Sequence, residues 1–169
     1  MERALIIGRF QPIHNGHMEM IRRAAKKYEL IIAIGSPLKS HTVENPFTGG
    51  ERYEMIIRAL AEEDIRAHIL PIHDIEYNSV WASHVISLCP PFDVVLSNNP
   101  LTIELFSPYK RVMETAMFSR KEYSGKEIRK RMVTEEEWKD LVPEVVSEYI
   151  CEIGGEERIR YLSHTDEYI

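Results

Sequence analysis

Short apolar runs alternate along the chain with longer amphipathic stretches. The apolar runs predict four β-strands, at Ala4–Gly8, Leu30–Gly35, His68–Ile72 and Val94–Ser97. The amphipathic stretches predict crossover helices, at about Gly16–Lys27, Gly49–Glu62 and Ser79–Leu88. This alternation indicates a doubly wound parallel sheet with helices on both faces. In such α/β sheets, ligands bind beyond the carboxyl ends of the strands.

Ser/Thr-x-x-Glu pairs are typical of helix starts, where the two side chains cap backbone N–H groups. Three such pairs occur: Thr48 with Glu51, Ser124 with Glu127, and Thr134 with Glu137. Each pair predicts that a helix begins there, and the pattern after Thr134 is helical without a further strong strand. The predicted fold class is therefore Rossmann-like α/β with a helical C-terminal part. No break in composition divides residues 1–169, so we expect a single domain.

Composition is ordinary for a globular protein, with 44% hydrophobic and 28% charged residues among 169. A net charge of -6 disfavours a general nucleic-acid binder, although a local basic patch stays open. Cys89 and Cys151 match no metal or redox pattern, which favours a reducing compartment. No apolar run is long enough for a signal peptide or a membrane span. We therefore expect a cytoplasmic protein without a membrane partner.

The stretch His14-Asn15-Gly16-His17 follows the first strand and directly precedes the first amphipathic stretch. Free N–H groups and the helix dipole favour an anion at a helix N-terminus, where two imidazoles can bind the same anion. Gly16 lets the backbone come close to such a ligand. Arg9, at the end of the strand, carries five donors that suit phosphate oxygens. The pattern predicts a phosphate site.

Two other interpretations of these residues stay open. The histidines can be a helix cap and a half-buried surface residue, and Arg9 alone can be a solvated arginine. A zinc site is the second alternative, but it needs a third ligand, and the other five histidines show no metal spacing. Phosphate binding is favoured because the glycine and the following helix suit it.

A basic segment runs from Arg120 to Arg131 in a chain that is acidic as a whole. Ser124 is the expected N-cap of a helix, where its hydroxyl and the nearby N–H groups can face phosphate. Arg129, one turn further, can reach the same site, and Arg120 and Lys126 add positive charge. The alternative is an amphipathic surface helix with i,i+4 charge pairs, so this segment alone only suggests a polyanion site.

A third segment, Ile72–Trp81, closes the third strand and enters a helix. Trp81 can stack on a flat heterocycle, and Asn78 can donate to or accept from an amide on it. The alternative is that Trp81 belongs to the core and Asn78 is only an N-cap. The local pattern alone favours that alternative.

The string Gly8–His17 resembles the first signature of the HxGH nucleotidyltransferases, and among them that of the archaeal nicotinamide-mononucleotide adenylyltransferases. Ser124–Arg129 is similar to the second signature of that superfamily, and Asn78 and Trp81 match the ring-binding positions of the archaeal enzymes. Further similar stretches are Gly35-Ser36, Lys39-Ser40-His41 and Asn45–Arg52. The similarity extends from about Leu5 to Arg160, which is most of the chain.

The resemblance implies transfer of AMP from ATP to nicotinamide mononucleotide, giving NAD and pyrophosphate in NAD biosynthesis, with nicotinate mononucleotide as an alternative acceptor. The catalytic group that it implies is His14, His17, Arg9 and Arg129. The ATP and phosphate group is Gly8, Phe10, Gly16, Ser124, Gly125, Lys126 and Arg120. The nicotinamide group is Asp74, Ile75, Asn78 and Trp81. It also implies Mg²⁺ bound mainly through the ATP phosphates, no protein metal site, and a homo-oligomer, by resemblance a hexamer.

Four positions, Lys126, Pro37, Leu38 and Asn98, depart from the family pattern, and a fifth, Glu44, differs from some members. Lys126 stands where the family usually has threonine, and its charge can reach a β- or γ-phosphate instead. Pro37-Leu38 replaces a small polar pair after the second strand. Asn98 stands where the family has glycine, and asparagine is the next best residue if φ is positive there. Glu44, an arginine in some members, is assigned no role.

Three other functions are alternatives. A sister nucleotidyltransferase would act on another acceptor, such as phosphopantetheine, or would use CTP, and the Asn78–Trp81 segment disfavours it. A non-catalytic sensor would bind NAD or ATP without releasing pyrophosphate, and it would not need both histidines and both arginines. A dinucleotide dehydrogenase is disfavoured because no G-x-G-x-x-G follows the first strand.

Overall fold

A parallel β-sheet in the order β3-β2-β1-β4-β5 forms the centre of this computed structural model, which describes residues 1–116 and 123–164. The strands within those residues are β1 (Arg3–Gly8), β2 (Glu29–Gly35), β3 (Ala67–Ile72), β4 (Val94–Leu96) and β5 (Arg111–Met113). The helices are α1 (Asn15–Ala25), α2 (Gly49–Glu62), α3 (Trp81–Leu88), α4 (Pro100–Phe106), α5 (Gly125–Thr134), α6 (Glu144–Glu152) and α7 (Gly155–Ser163). Short 3₁₀ turns lie at Asn78–Val80 and Lys139–Leu141.

The four predicted strands and the three predicted helices all form, with ends shifted by one or two residues. β5 and α4 were not predicted. β5 has only three residues, two of them exposed, so it shows no usable periodicity. α4 has seven residues and begins where the Asn99 side chain accepts from the N–H groups of Leu101 and Thr102.

The sheet is buried on both faces, which confirms the doubly wound architecture. Successive residues of β2 alternate between two hydrophobic clusters: Ile32 and Ile34 lie in one, and Ile31 and Ala33 lie in the other. Helices α1, α2, α5, α6 and α7 contribute to the first cluster, and α3 and α4 contribute to the second. Burial on both faces explains why the strands read as continuous apolar runs.

The three predicted helix starts have different outcomes. Thr48 and Glu51 form a complete capping box at α2. Ser124 caps α5 by accepting from the N–H of Glu127, whose carboxylate pairs with Arg131. The prediction at Thr134 is wrong, because Thr134 ends α5 and its hydroxyl donates to the carbonyl of Lys130 in the same helix.

The strand order places a crevice at the carboxyl end of β1. From β1 the chain builds outward through β2 and β3 on one side, and later through β4 and β5 on the other. Such a switch point is where parallel sheets bind ligands. The described residues after Thr134 contain no strand, as predicted. Within the described ranges, no helix is both long and apolar enough to cross a membrane.

Candidate active site

A cavity of about 450 Å³, called the main cavity below, opens beside the carboxyl end of β1. The turn after β1, the first turn of α1, the loops after β4 and β5, and the start of α5 form its walls. Its polar lining residues are Arg9, Gln11, His14, His17, Ser97, Asn98, Asn99, Thr115, Tyr123, Ser124, Lys126 and Arg129. The two signature segments, more than a hundred residues apart, thus meet in one cavity, as predicted.

His14 and His17 cap the N-terminus of α1 reciprocally. The Nδ1 atom of His14 accepts from the N–H of His17 at 3.3 Å, and the Nδ1 atom of His17 accepts from the N–H of His14 at 3.2 Å. The rings stack with centroids 3.7 Å apart. Since each Nδ1 accepts, each neutral ring carries its proton on Nε2. Both histidines therefore cap the helix, and this capping is compatible with the phosphate interpretation because it leaves both Nε2–H donors available.

The environment of this pair favours the uncharged imidazoles. Burial, and secondarily the nearby charge of Arg129, lowers the pKa of His14 from 6.5 to about 4. Burial and the neighbouring His14 ring hold the pKa of His17 well below its usual value. At neutral pH in the free protein the pair offers two hydrogen-bond donors and no net charge. A bound phosphate would stabilise the protonated rings and raise both pKa values.

Arg9 and Arg129 supply the positive charge. Arg129 donates from Nη1 to the carbonyl of Gln11 at 2.8 Å, and Arg9 donates from Nη1 to Oδ1 of Asn45 at 3.2 Å. Neither guanidinium forms an ion pair within residues 1–116 and 123–164. Burial and the charge of Arg9 lower the pKa of Arg129 to about 10. Two guanidinium groups that repel each other beside a cavity favour an anion between them.

Three of the predicted glycines make room for side chains of the site. A Cβ on Gly16 would lie 3.0 Å from Cε1 of His14, and one on Gly125 would lie 2.5 Å from Nη1 of Arg129. A Cβ on Gly8 would lie 3.1 Å from the Phe10 ring. Gly8 itself does not line the cavity. It accommodates the Phe10 ring, which does line it, and the Phe10 backbone has a positive φ of 52°.

Lys126 and Arg129 also line a second cavity, of about 530 Å³, that shares Arg9 with the first. Glu44, which had no assigned role, lies at this second cavity and offsets part of the effect of Arg9 on the pKa of Arg129. Lys126 thus lies where a charge can reach a polyphosphate. Arg120, predicted to bind phosphate, lies outside the described residues.

The predicted nicotinamide residues follow β3, two strands away from β1, and none of them lines the main cavity. Trp81 is half-buried and packs edge-on against Phe106, with centroids 5.5 Å apart. Asn78 is exposed and begins a 3₁₀ turn, and the Asp74 carboxylate accepts from the Ser36 hydroxyl at 3.0 Å. Ile75, between them, is half-buried. Asp74 and Ile75 thus lie just after β3, whereas Trp81 packs against α4, and none of the four residues lines the main cavity.

Arg52 is a buried residue of the site region that the sequence did not reveal. Its side chain is 0% exposed, and burial together with the charge of Arg9 lowers its pKa to about 10. It donates to the carbonyls of Arg9 at 2.8 Å, Gly35 at 2.9 Å, Ser36 at 2.9 Å, Thr48 at 3.2 Å and Lys39 at 3.3 Å. The guanidinium thereby joins the turns after β1 and β2 to α2. The sequence did contain one signal for this burial. Arg52 precedes Met55 and Ile56 by three and four residues, which places it on the apolar face of α2.

Two departures from the family pattern have local explanations. The Pro37 carbonyl oxygen would lie 2.7 Å from a Cβ on Gly49, so the Pro37-Leu38 loop packs directly on the start of α2. Asn98 does not have a positive φ, so the expected reason for asparagine there does not apply. Its side chain instead bonds to Thr115.

The described residues offer no carboxylate in the main cavity. The lining contains arginine, lysine, histidine and neutral residues only. In the described part of the chain, no group of three or more His, Cys, Asp or Glu side chains could hold a metal ion. The arginine, lysine and histidine donors of the lining suit the oxygens of a polyphosphate better than they suit a bare divalent cation.

Comparison with known proteins identifies the family. The cytidylyltransferase-like family model matches residues 5–131. The chain is 49% identical over 166 residues to a nicotinamide-nucleotide adenylyltransferase from Methanococcus aeolicus, covering 97% of this chain and 96% of that protein. The chain belongs to the nicotinamide-nucleotide adenylyltransferase family. Family members from Methanolobus tindarius and Archaeoglobus fulgidus are 48% and 49% identical, over 99% and 97% of this chain and 98% and 99% of theirs. The predicted resemblance is confirmed.

Solved structures with this fold include a bifunctional NMN adenylyltransferase/ADP ribose pyrophosphatase from Francisella tularensis, in a complex with AMP and a manganese ion. It aligns with a TM-score of 0.76 at 20% identity, over 99% of this chain and 53% of that one. A second structure of a protein so described has a TM-score of 0.78 at 18% identity, over 99% and 55%. This chain spans about half the length of the bifunctional proteins. The likeness confirms the Rossmann-like fold.

Proposed function

We propose that the chain transfers the AMP unit of ATP to nicotinamide mononucleotide, forming NAD and pyrophosphate in NAD biosynthesis. The observation that carries this proposal is the cavity beside β1, where two imidazole donors lie with two guanidinium groups. Relatives at 48–49% identity that carry the name of this activity support it. The acid form of the mononucleotide is the alternative acceptor.

The transfer is a single in-line displacement at the α-phosphorus. An oxygen of the mononucleotide 5′-phosphate forms the new P–O bond, the bond from the α-phosphorus to the bridging oxygen breaks, and pyrophosphate leaves with that oxygen and its electron pair. An ionised phosphate is already a nucleophile, so no general base is needed. Catalysis then consists of positioning and charge stabilisation.

The site residues have separate tasks in this proposal. His14 and His17 donate from Nε2 to oxygens of the reacting phosphate, where charge builds up in the transition state. Arg9 and Arg129 bind phosphate oxygens on either side of the breaking bond, because both line the cavity and the charge of Arg9 lies close enough to Arg129 to help burial lower the pKa of Arg129. The Ser124 hydroxyl accepts from Glu127 and keeps its own proton free to donate to the leaving pyrophosphate.

The remaining residues shape the site. Gly16 and Gly125 leave the space that the imidazoles and Arg129 occupy, and Lys126 adds charge for the β- and γ-phosphates. Phe10, which Gly8 accommodates, packs against His17 with ring centroids 4.8 Å apart. Arg120 is proposed to bind phosphate from its sequence position alone.

We propose that the pyridine ring binds between the end of β3 and the start of α3, at Asp74, Ile75, Asn78 and Trp81. The acceptor would extend from there toward the end of β1, and ATP would approach from the β4–β5 side. The two substrates then meet at the switch point of the sheet, where the imidazole pair lies.

Mg²⁺ is proposed to enter as part of the Mg–ATP substrate, held by phosphate oxygens and water, where it neutralises the triphosphate charge. The cationic lining and its lack of described carboxylates support this assignment. We further propose a cytoplasmic single-domain enzyme that assembles as a homo-oligomer, by resemblance a hexamer, and that has no nucleic-acid or membrane partner. The net charge of -6 supports the last point.

The catalytic role of the imidazole pair is tested with His17→Ala. Loss of one transition-state donor is expected to lower kcat about 10²- to 10³-fold. The lost capping bond costs about 1 kcal/mol of stability, so the protein stays folded. His68→Ala is the matched control, because His68 is an exposed residue of β3 outside the cavity lining. A His17→Ala enzyme with unchanged kcat would contradict the assignment.

A further inference from the structure

The Asn98 side chain makes three polar contacts with a single residue of the cavity wall, Thr115. Its Nδ2 donates to the carbonyl of Thr115 at 2.8 Å and lies 3.0 Å from the Thr115 hydroxyl, and its Oδ1 accepts from the N–H of Thr115 at 2.7 Å. We call this contact the Asn98–Thr115 clamp. Both Nδ2 protons and the amide oxygen are engaged within it.

The clamp continues the sheet where backbone pairing stops. β4 pairs with β5 up to Leu96 and Met113, and the Ser97 N–H donates to the Met113 carbonyl at 3.1 Å. Beyond that point the Asn98 amide takes the place of a backbone peptide group and bonds Thr115 in both directions. The segment after β5 is therefore held in register with the loop after β4.

The clamp is part of the wall of the main cavity. Asn98, Thr115 and the next residue, Ala116, all line it. Both N–H groups of the Asn98 amide are already bonded to Thr115. The amide therefore positions the wall and does not donate to a ligand. Asn98 and Thr115 are half-buried, and leaving their polar groups unpaired would cost stability. This cost favours the bonded arrangement.

The location of the clamp indicates which substrate it serves. It lies at the ends of β4 and β5 and lines the main cavity, whereas none of Asp74, Ile75, Asn78 and Trp81 lines that cavity. This step rests on the proposed function, in which the pyridine ring binds between the end of β3 and the start of α3. The nucleoside part of ATP is then the group that meets the wall at Asn98–Thr115.

We propose that Asn98 is a positioning residue that holds Thr115 and Ala116 against the nucleoside of ATP. The clamp thereby sets the affinity for ATP and leaves the rate of AMP transfer to the groups at β1. A residue with only a structural role would instead lower the amount of folded enzyme, and with it the apparent kcat, without changing the affinity for ATP.

The experiment compares Asn98→Ala, Thr115→Val and Thr115→Ser. We measure ATP binding by calorimetry without acceptor, and kcat and KM for each substrate. Asn98→Ala removes all three contacts and should raise the Kd and KM for ATP about tenfold. Thr115→Val removes only the hydroxyl contact and should raise them about two- to threefold. Thr115→Ser keeps all three and should match the wild type. In every variant, kcat and the KM for the mononucleotide should stay within twofold.

Three results would overturn the proposal: unchanged ATP affinity in Asn98→Ala, equal increases in both KM values, or a lower kcat at unchanged ATP affinity. If Asn98→Ala does not fold, the two Thr115 variants decide in the same way. The calorimetry needs no acceptor. A wild-type protein that binds ATP but does not adenylate a pyridine mononucleotide therefore refutes the proposed function, while the clamp is still judged by ATP affinity.

Discussion

Gly125→Ala should separate folding from catalysis at the phosphate site. Gly125 is the first residue of α5, and a Cβ there would lie 2.5 Å from Nη1 of Arg129 and 3.3 Å from the carbonyl oxygen of Gln11. The helix tolerates alanine at this position, since its φ is not positive. The guanidinium is the end of a flexible side chain, so it is the group that moves. The substitution thus displaces Arg129 without altering it.

The effects on stability are small and partly cancel. Alanine in a helix gains about 0.5–1 kcal/mol over glycine. The bond from Arg129 to the Gln11 carbonyl, 2.8 Å long, involves a charged donor and contributes roughly 1.5–3 kcal/mol. The net loss is about 2.5 kcal/mol at most, which lowers Tm by less than about 10 °C for a chain of this size.

The effect on activity is larger, because Arg129 leaves the phosphate cavity. Removing one charged donor from the transition state lowers kcat/KM by about 10²- to 10³-fold. Gly50→Ala is the matched control: the nearest atom to its Cβ is the Thr48 hydroxyl oxygen, 3.9 Å away, so it should keep full activity. The assay is pyrophosphate release from ATP with nicotinamide mononucleotide, beside a thermal melt of each variant.

The double variant shows whether the loss acts through Arg129. In an Arg129→Ala background, Gly125→Ala should reduce kcat/KM by less than about threefold, because the displaced group is already gone. The reasoning is refuted by a Gly125→Ala enzyme within threefold of wild-type kcat/KM, or by a double variant in which the two losses multiply.

Three further predictions concern other parts of the site. The stability of the free protein should fall as the pH decreases from about 6.5 to about 4, since unfolded His14 binds a proton in that range and folded His14 does not. His14→Asn, which can still cap α1, should remove up to about 3 kcal/mol of that dependence in denaturant titrations at several pH values; an unchanged profile would contradict it. Arg52→Lys keeps the charge but cannot reach five carbonyls, so Tm and kcat/KM should both fall, and a wild-type Tm would refute its bridging role. Trp81→Ala should weaken mononucleotide binding more than ATP binding, and equal weakening in calorimetry would count against the pyridine site.

The pattern of apolar and polar residues predicted the strands whose two faces are both buried. β1 and β2 have unbroken apolar runs because helices cover both of their sides, and the end of β1 then locates His14 and His17. β5 was not predicted because it is an edge strand of only three residues, which is too short to show an alternation of apolar and polar residues. The Thr134–Glu137 pair was misread because a hydroxyl near a helix end can bond back into its own helix.

The long-range contacts of the site could not be predicted from one sequence. Arg52 meets carbonyls from three separate stretches of chain, at Arg9, residues 35–39 and Thr48, and nothing in its own neighbours specifies the first two. Asn98 and Thr115 lie on segments that only the pairing of β4 with β5 brings together. The contact of Trp81 with Phe106 of α4 likewise depends on strand order, which the alternation of strands and helices leaves open.

Transfer of AMP to a pyridine mononucleotide is tested most directly by the products that the chain forms from Mg–ATP. Pyrophosphate release from Mg–ATP, with product analysis, is measured with nicotinamide mononucleotide, its acid analogue, phosphopantetheine and no acceptor. Pyrophosphate release is expected only with a pyridine mononucleotide, in equal amount with NAD or its acid form. Release only with phosphopantetheine, or no release despite measurable ATP binding, would contradict it.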